Sequence, residues 1–161
     1  MAKKTLKIIG INPGTRYLGI AVLYGQELLD WRIKVLDGKW SAGKITKAIG
    51  IVFDLIERYK PNVLIIKKLH PARRSENLMR LAKKIKEFAR RKGLKAYQYS
   101  IKEIEKIFIE SAKMNKWNLI DVIIKLYPAL HYDLTKERSH KNPYYFRAFE
   151  AVALAEVYSR R

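Results

Sequence analysis

The chain has 161 residues, with 34 Lys and Arg against 15 Asp and Glu, a formal net charge of +19, 48% apolar residues and no cysteine. That length suits a single domain over 1–161 with a sizeable core, and apolar residues in periodic blocks exclude a disordered chain. No apolar run is long enough to span a bilayer, and the lack of cysteine excludes disulfide scaffolds, thiolate metal sites and cysteine nucleophiles.

Leu6–Ile11 reads as a strand, followed by the turn pair Pro13-Gly14. Gly19–Tyr24 and Glu27–Leu36 read as further strands joined at Gly25-Gln26, which makes an antiparallel meander. A helix is expected over Ser41–Tyr59, with Ile45, Ile49, Val52 and Ile56 as its apolar stripe and Phe53 beside it. Val63–Ile66 is continuously apolar, as in a strand covered on both faces. Ser75–Lys92 reads as a helix burying Leu78, Leu81, Ala82, Ile85, Phe88 and Ala89, stopped by Gly93. Lys95–Tyr99 is a short strand, and Ser100 suits the cap of a helix from Ile101. Asn115–Tyr127 is a further helix, with Trp117, Ile120, Ile123, Ile124 and Tyr127 inward. Pro128–Asn142 reads as a polar loop, and Asn142-Pro143 starts a last helix over Tyr144–Tyr158 whose alanines allow close approach to a sheet. The order β-β-β-α-β-α-β-α-α-α predicts an α/β fold with helices on both faces of a mixed sheet.

No secretory core follows the basic Met1–Thr5, so a cytoplasmic location is expected. The lack of Cys and the three Met fit a thermophile's composition, although thermophile surfaces balance Lys with Glu and this chain does not. So large a positive charge calls for an anionic partner, and nucleic acid is the partner expected here. The cations cluster. Lys67, Lys68, Arg73, Arg74, Arg80, Lys83, Lys84, Arg90 and Arg91 follow the fourth strand and lie on the next helix, where the acids are Glu76 and Glu87. Lys136, Arg138 and Lys141 form a second group beside Tyr144, Tyr145 and Phe146. Those rings suit stacking on unpaired bases, or equally the filling of a core. His70, His131 and His140 share no ligand spacing, and a zinc site with Asp133 or Glu137 is not favoured.

The element order, the length and local motifs resemble the RuvC-type Holliday-junction resolvases of the ribonuclease-H-like superfamily. That family opens with a strand ending in Asp-Pro-Gly and a Gly a few residues on; here the matching residues are Ile11, Asn12, Pro13, Gly14 and Gly19. Its fourth strand ends in Glu, where this chain has Lys67, or Lys68 in the other register. Its last helix carries two acids, or a His and an acid, three apart, where this chain has Arg147 and Glu150. The resemblance implies a five-stranded mixed sheet of order 3-2-1-4-5, branched DNA as ligand in preference to RNA, and a homodimer. In the family, carboxylates at these positions hold two divalent metals; Asn12, Lys67 and Arg147 depart from that pattern and Glu150 alone keeps it. The expectation is a degenerate site without cofactor, in which an ion pair of Lys67 or Lys68 with Glu150 stands where metals did. Lysines reaching solvent and Arg147 as an ordinary surface residue are the other readings. An active endonuclease using Mg2+ or Mn2+ on Glu150 and Asn12 is the alternative function, and a basic RNA-binding protein the second.

Overall fold

Side chains that alternate across a strand need an apolar layer on each face, and this chain supplies two. The computed structural model describes residues 5–69, 75–108, 116–132 and 146–160. Its strands are β1 (Lys7–Asn12), β2 (Tyr17–Tyr24), β3 (Glu27–Val35), β4 (Val63–Lys67) and β5 (Lys95–Tyr99), in one sheet of order β3-β2-β1-β4-β5. β1–β2 and β2–β3 pair antiparallel, and β1–β4 and β4–β5 pair parallel. The helices are α1 (Ala42–Tyr59), α2 (Glu76–Arg91), α3 (Ile101–Phe108), α4 (Lys116–Leu126) and α5 (Phe146–Arg160). No helix among the described residues is long and apolar enough to cross a membrane.

Ile9, Ile11, Ile20, Leu64 and Ile66 face one core with α1 and α2. Ile8, Ala21, Val63 and Ile65 face the other, with α3, α4 and α5. Strand residues two apart share a face. Asn12 therefore points to the same side as Ile8, and Lys67 to the same side as Ile65.

Helix α5 is buried without interruption from Ala148 to Val157, because it lies flat on the sheet. Two glycines permit this. A Cβ on Gly10 would stand 2.0 Å from the Ala151 carbonyl oxygen, and one on Gly19 would stand 2.3 Å from that of Arg147. The close approach brings α5 side chains onto the ends of β1 and β4.

Local signals set several ends: Ser100, Gly93 and Gly25 act as anticipated, and Ser75, read as the first residue of the helix, caps it. Ser75 Oγ accepts a hydrogen bond from the Leu78 amide at 3.0 Å. Ser100 and Glu103 form a reciprocal capping box, at 3.2 and 3.3 Å. Gly93 takes a positive φ after α2, and Gly25 does so in the β2–β3 turn.

Elsewhere the structure differs. β2 begins at Tyr17, earlier than Gly19, because Tyr17 and Leu18 pair with Val35 and Lys34 of β3. The buried face of α1 comprises Lys44, Ala48, Val52, Leu55 and Ile56, while Phe53 is exposed and Ile45 and Ile49 only partly covered. Lys44 reaches under the β1–β2 turn, where its ammonium donates to the Thr15 carbonyl at 2.8 Å. The expected loop after α4 begins with a 3-10 turn at Pro128–Leu130 that buries Leu130. The rest of that loop, and the start of the last helix at Asn142–Tyr145, lie outside the described residues. Trp117 is likewise not described at the side-chain level.

α4 and α5 are also joined by a polar contact. The Tyr127 hydroxyl donates to Glu156, and Arg160 Nε donates to the same carboxylate at 3.0 Å. Burial, with the Glu156 bond adding, pushes the Tyr127 hydroxyl well above the ordinary tyrosine range. Its contribution to stability is therefore complete below the unfolded tyrosine pKa of about 10 and fades only as pH rises through the higher folded value. Tyr127→Phe is expected to cost about 1–3 kcal/mol by leaving Glu156 short of a donor. Urea unfolding at pH 7 measures the loss, and the same loss is expected at pH 9.

Candidate functional site: a charged pocket at the ends of β1 and β4

Continuing the β1–β4 register one residue beyond Ile11↔Ile66 sets Asn12 beside Lys67. Both side chains meet Glu150 of α5. Asn12 Nδ2 donates to Glu150 Oε1 at 3.0 Å, and Lys67 Nζ lies 2.9 Å from Glu150 Oε2. Asn12 and Glu150 are buried, and Lys67 is one-quarter exposed. Each oxygen of the carboxylate thus has a donor, which a buried charge requires.

Arg147 stands one turn before Glu150 on α5 and is half-buried. Its guanidinium lies over the β1–β2 turn: a Cβ on Gly14 would be 2.5 Å from Nη1. Loss of solvent lowers its pKa from the usual arginine value, and the charge of Glu150 opposes that shift. Among the described residues no acceptor takes a hydrogen bond or ion pair from this guanidinium. Glu105 of α3 is close enough to feel the charge of Glu150. Desolvation raises its pKa; Glu150 adds to the rise and Lys102 opposes it.

The sequence-derived candidates therefore separate. Asn12, Lys67, Arg147 and Glu150 are brought together. Lys68 is exposed, and its backbone amide bonds to Tyr99, so Lys67 and not Lys68 forms the ion pair. Arg147 is not an ordinary surface residue. Arg80, Lys83, Lys84, Arg90 and Arg91 all present exposed side chains on α2, which covers the sheet face opposite α5. The basic cluster is thus split between the two faces. Arg90 is engaged with the Ala96 carbonyl at 3.0 Å, Lys84 lies 3.9 Å from Glu87, and Arg91 stands over the Phe88 ring. Arg73, Arg74, Lys136, Arg138, Lys141, Tyr144 and Tyr145, like His70, His140, Asp133 and Glu137, lie outside the described residues.

Sequence reasoning does not single out Lys44, Glu105 or Tyr17, the last of which adds its charge interaction to Arg147. Glu105 carries no signal beyond its place in an amphipathic helix. Among the described residues no three His, Asp or Glu side chains converge in a way that could hold a metal ion.

No protein-family model matches the chain, and no curated protein sequence matches it. Solved structures do. Thermus thermophilus RuvC superposes with a TM-score of 0.75 at 16% identity, covering 96% of each chain. T. thermophilus RuvC in complex with a Holliday junction substrate gives 0.70 at 16% identity, over 96% of this chain and 95% of that one. The yeast mitochondrial Holliday junction resolvase Ydc2 gives 0.65 at 11% identity, over 99% and 80%. With its sheet order and the placement of its last helix, the chain has the ribonuclease-H-like fold that RuvC and Ydc2 share.

Proposed function

We propose that the protein binds branched DNA through this nuclease fold without cutting it efficiently. The observation that carries the reading is the Lys67–Glu150 ion pair, with Asn12 on the second carboxylate oxygen, in the pocket where a resolvase of this type needs several acids. Two divalent cations a few ångströms apart require several negative ligands. Among the described residues, the Glu150 carboxylate with one amide and two fixed cations on it, and Glu105 on the α3 side, do not fit that need, so metal-assisted hydrolysis is not assigned to this pocket. The net charge of +19 and the exposed cations on α2 support a polyanionic partner, and the fold shared with a RuvC solved on a Holliday junction favours branched DNA.

The test is a set of labelled substrates: four-way junction, linear duplex and structured RNA, each with and without Mg2+ or Mn2+. The expected result is preferential junction binding that is indifferent to metal, with no cut strands. Log Kd should rise linearly with log salt, because phosphate contacts dominate. Metal-dependent cleavage that disappears in Glu150→Gln would establish an endonuclease instead. Preference for RNA would move the reading to an RNA-binding protein.

A further inference from the structure

We propose that the pocket at the ends of β1 and β4 seats one backbone phosphodiester of the bound nucleic acid directly on the Arg147 guanidinium, with Lys67 as the supporting charge and no bridging cation. The inference rests on the nucleic-acid reading above and specifies where a phosphate sits.

The balance of charge in the pocket leads there. Glu150 is occupied by Lys67 and Asn12. Among the described residues, Lys67 and Arg147 against Glu150 leave one positive charge in excess, which one phosphodiester matches. Glu105 sits on the α3 side with Lys102 against it, so the phosphate approaches from the β1–β2 turn. There Gly14 offers no side chain, and the guanidinium lies across the turn's backbone. Arg147 is partly desolvated and, among the described residues, has no acceptor. An anion delivered to that fork replaces the water it has lost, and a guanidinium takes two phosphate oxygens at once.

Methylphosphonate scanning of a four-way junction tests this, because each replacement removes the charge of one chosen phosphate. With the wild-type protein, one position near the branch should weaken binding about tenfold, as loss of a charge-assisted contact does. In Arg147→Gln the same replacement should have no further effect, and the slope of log Kd against log salt should fall by about one. Arg147→Lys keeps the charge without the fork; it should retain the slope and lose part of the affinity, and it carries the comparison if the glutamine variant folds poorly. A full tenfold penalty persisting in Arg147→Gln at every sensitive position overturns the site while leaving nucleic-acid binding intact. Absence of junction binding by the wild type overturns the functional reading and the site together.

Discussion

Lys67→Met is expected to destabilise the protein by about 3 kcal/mol, the lower end for breaking a buried ion pair. The methionine keeps the bulk of the lysine stem, so the packing around it is little disturbed. What is lost is the cation 2.9 Å from a carboxylate that is almost wholly buried. Asn12 still donates to one oxygen, and Arg147 still adds positive charge, which keeps the loss from the upper end of the range. Removing the other charge as well should restore most of the stability. Lys67→Met with Glu150→Gln leaves an amide that can still accept from Asn12 and no buried carboxylate without its cation. Denaturant unfolding of the two single variants and the double variant measures the coupling. If Lys67→Met alone is neutral, the ion pair does not hold this pocket.

Gly10→Ala is expected to cost about 3 kcal/mol or more through overpacking, and to lower Tm by roughly 6–12 °C for a chain of this size. The added methyl would stand 2.0 Å from the Ala151 carbonyl oxygen and 3.3 Å from the Ala155 backbone nitrogen. Neither is a side chain that can rotate away. Helix α5 would have to lift from the sheet, and with it Arg147 and Glu150 would leave the strand ends. Gly50→Ala is the control of opposite sign. Gly50 lies within α1, and a methyl there would meet nothing within 4 Å, so alanine should add about 0.5–1 kcal/mol through helix propensity. Thermal unfolding of both variants decides whether close approach, and not glycine content, is what the β1 glycine serves.

Which parts of this protein are legible without coordinates follows from the range of the forces involved. Turns and caps depend on residues a few positions apart. Ser100 and Gly93 therefore announce themselves, and the reciprocal bonds between Ser100 and Glu103 close within one helical turn. The sheet order follows from a resemblance carried by Asn12-Pro13-Gly14, the fourth strand and the last helix, and the strand pairing agrees with it. The site is legible only as a set of positions. β4 is apolar on both faces, so its sequence has no alternation from which to read which of Lys67 and Lys68 turns toward α5. The parallel pairing with β1 decides it. Lys44 looks like a surface residue until the β1–β2 turn places the Thr15 carbonyl over it.

Residue order alone thus carries the elements, their succession and the excess of positive charge. It also carries Asn12, Lys67 and Arg147 at three of the four positions where the resemblance expects metal ligands. Three-dimensional packing is needed to learn that Lys67 takes the Glu150 carboxylate and that Arg147 is half-buried over Gly14. It also puts the basic helix α2 across the sheet from the pocket. The reason is geometric. Charge and turn preference are properties of a residue and its near neighbours, whereas the partner of a buried charge is set by strand register and by how closely a helix can settle on glycine.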